Sequence, residues 1–309
     1  MAQFNIQKAK REKIWAKIAL MAPSGGGKTY SGLRLLSGMR EELKKIGVET
    51  KILMLNTESS RGRYYANEFD YDIIDMGAPH SPQNYVDAIE YAVEQGYKLL
   101  LMDSTSPEWE GKGGCLELHV RAGGRYQDWS KVTPLHDGFL VAIADSPIHI
   151  VATMRGKDQY EITKTETGKM GVKKLGVGAK QRSGFEYEFT STFNIDQSTS
   201  MATPQKDNTH LFEHEGDMLL TEKHGQKIIQ WANSGEGYTI PVRNMKSDKE
   251  VMKEKQTEIV NLCIELGARD NKELMAILEP VEPSGNPNNI KDIKVLNKLF
   301  DDIQALKGE

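Results

Sequence analysis

The sequence predicts an α/β core with a mostly parallel central sheet flanked by helices, an antiparallel edge extension, and a small C-terminal helical domain. Three observations carry this. Apolar runs such as Leu99-Leu100-Leu101-Met102 lack the alternation of a half-wet strand, as strands covered on both faces do. Amphipathic helical patterns separate these runs, which is how parallel neighbours are connected. A glycine-rich turn joins the first apolar run to the first helix.

Taken in order, Ile18-Ala19-Leu20-Met21 is the first strand and Tyr30, Leu33, Leu36 and Met39 mark the helix after it. Between them lies Ala22-Pro23-Ser24-Gly25-Gly26-Gly27-Lys28-Thr29, which reads as a phosphate-binding loop. Its glycines let successive backbone N–H groups face a phosphate, and the helix N-terminus adds partial positive charge. Lys28 is expected to reach the β- and γ-phosphates and the Thr29 hydroxyl to ligate Mg²⁺. ATP and Mg²⁺ are therefore the expected cofactors, with Ser24, Gly25, Gly26, Gly27, Lys28, Thr29 and Tyr30 as nucleotide-binding positions. Ala22 stands where the pattern usually has glycine.

Lys51-Ile52-Leu53-Met54-Leu55 is the next buried strand, Asp72-Ile73-Ile74-Asp75-Met76 a shorter one. A helix over about 82–95 shows Tyr85, Ile89 and Ala92 on its inner face and closes at Gly96. The run 99–103 ends in Asp103, which is expected to hold Mg²⁺ through water. A helix over about 134–144 leads to the apolar strand 148–153. Beyond it, glycines at 168, 171, 176 and 178 read as a basic loop, followed by strand-like segments at 185–189, 191–195 and around 210–212. The pattern breaks near 235–247, dividing a core (1–240) from a helical domain (241–309). There Ser247-Asp248-Lys249-Glu250 is a capping box, followed by a helix to Gly267, a short helix around 272–278, and a last one with Ile290, Ile293, Leu296, Leu299 and Ile303 in line.

No apolar run approaches the roughly 20 residues needed to cross a bilayer, and the N-terminus lacks the apolar stretch of a secretory signal. A cytoplasmic location is expected. Cys115 and Cys263 are expected as free thiols, with no metal-ligand spacing around them. The chain has a formal charge of −4, which argues against indiscriminate binding to nucleic acid. Between Arg155 and Arg182, however, eight basic residues face three acidic ones, a net of +5. A basic patch on an acidic body indicates either a localised polyanion site or a solvated loop.

The strand-end acid separates subclasses of phosphate-loop enzyme. Ser104 follows Asp103, where a typical AAA+ motor would carry its water-activating glutamate, so that class is disfavoured. Glu58 ends the strand after the first helix. If that strand neighbours both the phosphate-loop strand and the Asp103 strand, Glu58 faces the γ-phosphate and orients water.

Leu53-Met54-Leu55-Asn56-Thr57-Glu58, with Arg61 and Arg63, resembles the strand-end Thr-Glu motif of RecA-type recombinases, and Leu101-Met102-Asp103-Ser104 resembles their Mg²⁺ strand. Over about residues 14–232 the chain looks most like the RecA-like P-loop ATPases of bacteriophage single-strand annealing and recombination systems. The resemblance implies that Arg155, in place of the family's glutamine, senses the γ-phosphate. It implies that the segment 156–182 contacts DNA through Lys157, Lys169, Lys173, Lys174, Lys180 and Arg182, with Tyr160 stacking on a base. Lys206 matches the first member of a basic pair that reaches a neighbouring subunit's nucleotide. Asn208 departs from the second, so Lys180 or Arg182 are alternatives. Segment 107–130, with Trp109, Arg121, Arg125, Tyr126 and Trp129, is expected either to face DNA or to anchor an irregular lid.

The expected function is a Mg²⁺-ATP-dependent recombinase or annealing ATPase binding single-stranded DNA, forming a homo-oligomeric ring or filament. The tail has ten basic and thirteen acidic residues from 245 to 309, a charge unsuited to gripping DNA. It is expected to dock a protein partner such as a single-strand-binding or replication protein, to regulate access, or to be a purely structural bundle. The alternatives are an ATP-switched assembly factor, such as a helicase loader or packaging component, or a small-molecule phosphotransferase with Arg121 and Arg125 as lid cations.

Overall fold

The computed structural model describes residues 8–164, 170–237, 248–267 and 271–306, with 157–164, 170–177, 248–251, 254, 293 and 294 described in backbone only. The chain divides into two compact units, Met1–Ile240 and Pro241–Glu309.

In the first unit, strands β1 (Lys17–Ala22), β2 (Ile52–Asn56), β3 (Asp72–Asp75), β4 (Leu99–Asp103), β5 (His149–Lys164), β7 (Ser191–Ile195) and β8 (Ala202–Asp207) lie in the order β3-β2-β4-β5-β1-β7-β8, and β6 (Met170–Ala179) pairs with β5. Every neighbour is parallel except β5–β6 and the edge pair β7–β8. This is the α/β sheet, mostly parallel with an antiparallel edge, that the apolar runs predict.

β1, β2 and β4 are buried along their whole length because helices cover both faces. Side chains alternate across a strand, so Ile18 and Leu20 join one core and Ala19 and Met21 the other. Helices α1 (Lys28–Lys45) and α6 (Glu222–Ala232) supply Leu33, Leu36, Met39, Ile228 and Ile229 to the first core. Helices α2 (Pro82–Glu94) and α5 (Trp129–Asp145) supply Tyr85, Ile89, Phe139 and Ile143 to the second. Between them, α3 (Ser106–Glu110) and α4 (Cys115–Arg121) form a short insert after β4. α1 and α6 touch backbone to backbone: a Cβ on Gly38 would stand 1.9 Å from the Glu222 carbonyl, and one on Gly225 2.0 Å from that of Leu35.

Several expectations need correction. β2 pairs with β4 and β3, not with β1, because β4 and β5 both lie between β2 and β1. The basic stretch read as a loop is largely a two-stranded ribbon. β5 runs on past the sheet after Arg155, its last partner on β1 being Ala22, and pairs Gly156 with Ala179 through to Lys164 with Met170. Gly171, Gly176 and Gly178 lie inside β6, where cross-strand hydrogen bonds hold the backbone that isolated glycines would loosen. Phe185–Glu188 is a 3-10 turn rather than a strand. It starts after Gly184 at φ 93 and buries Phe185 and Phe189 on one side. Residues 210–212 are a turn, with His210 at φ 57. α5 begins at Trp129, five residues before the predicted start, and carries Pro134 inside it. α6 escaped sequence reading altogether.

The second unit contains α7 (Asp248–Glu265), α8 (Lys272–Leu278) and α9 (Ile293–Ala305) around their own core of Ile259, Cys263, Leu274, Leu278, Leu296, Leu299 and Ile303. Ile290 packs against that core from a 3-10 turn before α9 rather than from the helix. Ser247 of the predicted capping box lies outside the described residues. No helix among the described residues is long and apolar enough to cross a membrane.

Candidate nucleotide site

The loop after β1 is shaped by its glycines. Gly25 and Gly27 sit at φ 81 and 80, a region costly for residues with a Cβ. A Cβ on Gly26 would come within 2.7 Å of that of Ala22. Gly27 is the N-cap of α1, with no side-chain cap and no acidic residue in the first turn. The leading N–H groups of an 18-residue helix thus have no capping side chain, and the helix dipole adds to their attraction for an anion. The Lys28 Nζ donates to the Ala22 and Pro23 carbonyls, both at 2.9 Å. Burial pulls the Lys28 pKa down while the charges of Asp103 and Glu58 push it back up. Gln197, from the β7–β8 turn, buttresses the loop by donating to the Ser24 carbonyl at 2.7 Å.

Parallel pairing brings the carboxylates to this loop. Asp103, 4% exposed, accepts from the Thr29 hydroxyl at 2.7 Å through Oδ2 and from the Thr153 hydroxyl at 2.5 Å through Oδ1. Burial raises the Asp103 pKa, and the two hydroxyls oppose the rise. Thr29 and Asp103 thus present oxygens side by side, the hard donors Mg²⁺ takes. Thr57 ties β2 to β4, its N–H donating to the Asp103 carbonyl at 2.8 Å, and its hydroxyl accepting from the Ser104 N–H at 2.9 Å. The Asp103-Ser104 peptide is cis.

Glu58 follows β2 and opens a 3-10 turn over Ser59–Arg63. Asn56, 1% exposed, shapes that turn by accepting from the Glu58 N–H at 3.0 Å. Although two strands, β4 and β5, separate β2 from β1, the Glu58 carboxylate lies beside the site and is only 18% exposed. Its Oε1 accepts from Arg155 Nε and Nη2 at 3.0 and 2.7 Å, and Arg61 stands 3.7 Å from Oε2. Arg155 is anchored in turn by its backbone N–H to the Ser106 hydroxyl, 2.9 Å. A cleft of about 420 Å³ opens next to Glu58, lined by Asn56, Thr57, Ser59, Arg63, Asp75 and His80 among others.

Other predicted residues are engaged elsewhere. Tyr30 donates to Glu68 at 3.1 Å and packs edge-on to Tyr65 and Phe69, so it serves the α1 flank rather than the loop. Lys206 lies in β8, not in a turn between strands, and its Nζ donates to the Tyr187 and Phe189 carbonyls at 2.6 and 2.7 Å. Lys180 and Arg182, at the ribbon base, pair with Glu110 at 3.5 Å and Asp137 at 3.3 Å. Lys157, Tyr160, Lys173 and Lys174 fall on the ribbon strands, Tyr160 directly opposite Lys174; Lys169 lies outside the described residues. In 107–130, Trp109 stacks on Trp129 and Trp129 on His119, at 5.5 and 4.1 Å, so both indoles have ring partners within the fold. Arg121 pairs with Glu117 and Arg125 with Asp128, leaving Tyr126 93% exposed.

Sequence reasoning gave no role to Asn56, Thr57, Thr153 or Gln197. Asn56 and Thr57 stand in the strand-end motif beside Glu58, but only Glu58 was assigned a function there. Thr153 and Gln197 carry no local signal. It also read no metal-ligand spacing around Cys115, yet the fold brings Cys115 against Glu108 and His136.

A strand, a glycine loop with Lys-Thr, and a buried carboxylate on a parallel strand define a P-loop nucleoside-triphosphate-binding domain. Residues 15–234 match the family described as AAA domain, and the chain belongs to it. That finding overrides the sequence argument against the AAA class, which rested on Ser104. Ser104 does follow Asp103, and the nearby acid comes from the end of β2 instead. No curated protein matches the chain.

Proposed function

We propose that this protein is a Mg²⁺-ATP-dependent ATPase of the recombination or annealing kind carried by bacteriophages, and that its nucleotide state sets its affinity for single-stranded DNA. The observation that carries this reading is Arg155. Its guanidinium holds Glu58, and its backbone is the last residue before β5 leaves the sheet to form the basic ribbon. One residue thus touches both the hydrolytic acid and the root of the candidate DNA-binding element.

In this reading, Lys28 and the α1 N–H groups grip phosphates, and Thr29 and Asp103 hold Mg²⁺, which supplies charge neutralisation for phosphoryl transfer when bound. Glu58 orients the attacking water. Arg155 exchanges the Glu58 carboxylate for the negative charge of the terminal phosphate, freeing the acid and shifting the ribbon base. Lysines of the ribbon neutralise backbone phosphates, and Tyr160 stacks on a base.

The test is ATP turnover with and without single-stranded DNA, alongside DNA binding with and without a non-hydrolysable ATP analogue. Stimulation by DNA, with analogue-dependent binding, is expected. Reversing charge at Lys173 and Lys174 should weaken DNA binding and spare basal turnover. Turnover and binding that ignore both DNA and nucleotide state would overturn the reading and favour the ATP-switched assembly factor. Consumption of ATP that needs a nucleoside or sugar would favour the phosphotransferase, for which the cleft beside Glu58 is the acceptor pocket; Arg121 and Arg125, its lid cations in sequence, are each paired with an acid.

A further inference from the structure

Beyond the strand end that carries Asp103, three side chains with no part in the proposed function meet in the interior of the first unit. Glu108 comes from α3, Cys115 from α4 and His136 from α5, and their ligand-type atoms all lie within 4.8 Å of one another. His136 Nδ1 and Cys115 Sγ stand 3.0 and 3.1 Å from the same oxygen, Glu108 Oε1. All three residues are exposed by 1% or less.

Two of the elements they join are very short. α3 has five residues and α4 seven, well short of the length at which a helix persists alone. α4 buries only Cys115, while its Leu116 and Val120 are exposed; α3 buries Ser106, Pro107 and Glu108. The insert therefore attaches to the domain through a buried carboxylate and thiol, together with the stacking of Trp109 and His119 on Trp129, rather than through leucines. A fully buried carboxylate is costly unless positive charge opposes it. The hydrogen-bond partners of Glu108's side chain among the described residues are Cys115, His136 and Gln181. A divalent cation meets both needs, since small polar-cored segments are commonly held by metal.

We infer that Glu108, Cys115 and His136 form a structural site for a divalent cation of the zinc class. One sulfur, one imidazole nitrogen and one carboxylate oxygen make a borderline-soft donor set. Zn²⁺ takes such ligands, whereas Mg²⁺ and Ca²⁺ take oxygen. With metal–ligand bonds of about 2.0–2.3 Å, tetrahedral ligands stand roughly 3.3–3.7 Å apart, so the two edges that meet at Glu108 Oε1 need to open by only about half an ångström, and the Cys115–His136 edge lies within 4.8 Å. On binding, the Cys115 thiol releases its proton to solvent, and the neutral His136 ring carries its proton on Nε2, leaving the Nδ1 lone pair for the metal. Gln181 orients the remaining carboxylate oxygen, donating to Glu108 Oε2 and to the Thr105 carbonyl, both at 3.1 Å; partners of this kind commonly steady metal ligands. Trp109 packs edge-on to His136 at 5.5 Å and stacks on Trp129, so tryptophan emission reports on the site.

The experiment uses the full chain, incubated with zinc sulfate, desalted and subjected to elemental analysis. About one zinc per chain is expected. Cobalt(II) in its place should give visible absorption with a thiolate-to-metal charge-transfer band. Cys115→Ala and His136→Ala should each lose the metal and the band, while Cys263→Ala and Asp103→Ala, which test the other thiol and the Mg²⁺ position, should keep both. Chelation of the wild-type chain should change tryptophan emission. The cobalt spectrum of the wild-type chain stands even if a variant fails to fold. Less than about a tenth of an equivalent of zinc on the wild type, a cobalt spectrum without sulfur character, or a folded Cys115→Ala chain that keeps its metal would overturn the inference and leave a hydrogen-bonded triad.

Discussion

Residues 22–29 hold their geometry through the backbone of one continuous stretch, whereas Glu58, Asp103, Thr153 and Arg155 meet only because β2, β4 and β5 pair in register. The first half needs glycines at two left-handed positions and an uncapped helix start. The second needs the sheet. In the proposed function this difference separates the grip on phosphates, supplied by the loop's own amides and Lys28, from hydrolysis, which would fall to side chains delivered by tertiary pairing.

If the halves are separable, Glu58→Gln should lower turnover by roughly 10²–10⁴-fold, the range for a lost general base, with nucleotide affinity near that of the wild type. Lys28→Ala should instead lose affinity. Isothermal titration beside steady-state hydrolysis reads both, and a Glu58→Gln chain that hydrolyses ATP normally would erase the distinction.

Thr153→Val sharpens it within the carboxylate half. The change leaves Asp103 Oδ1, otherwise served by the Thr153 hydroxyl, without a donor. A supporting group of this kind is worth about 10–100-fold in metal affinity. The Mg²⁺ dependence of hydrolysis should shift by that factor, and Thr153→Ser should restore it.

The sheet that delivers the second half has its own weak point. His149 is fully buried, and its Nδ1 accepts from the Ala16 N–H at 3.0 Å, tying β5 to the residue before β1. Burial, with the charge of Lys17, holds its pKa down at about 3. The unfolded chain therefore takes up a proton below about pH 6.5 that the folded chain refuses. Stability from this group is whole above that pH and is lost as pH falls toward 3. Denaturant titrations should show a loss of about 2 kcal/mol from this group between pH 7 and 5. His149→Gln should flatten that slope; an unchanged slope would remove His149 from the account.

The smallest effect on turnover is expected at Lys206→Ala, which deletes two hydrogen bonds to carbonyls of its own chain. It should cost about 1–3 kcal/mol in thermal or chemical unfolding and leave turnover unchanged. A selective loss of turnover would instead favour the action on a neighbouring subunit that the family resemblance implies.

The phosphate loop was readable because its requirements are local: successive residues, φ values that glycine satisfies, and a helix that starts where the loop ends. Asp103 was readable for a similar reason, since an acid closing an apolar run must sit at a strand end. Glu58 was found with a mistaken premise. Its strand does not adjoin β1, yet the acid reaches the site because the turn after β2 folds back under Asn56. The ribbon was misread as a loop because glycine is a loop signal only where no partner strand supplies hydrogen bonds. Lys206 and Tyr30 matched patterns in sequence, but their side chains found nearer partners.

Sequence alone determined the class of domain, because backbone chemistry at 22–29 and unbroken apolar strands leave few other folds. It determined the independent helical tail as well, through apolar stripes that close on themselves. Only the tertiary structure decided which strand separates β1 from β4, that Thr153 serves Asp103, that Arg155 holds Glu58, and that Glu108, Cys115 and His136 converge. Those are contacts between residues dozens of positions apart, and no local propensity encodes a distance that long-range strand pairing and helix packing alone set.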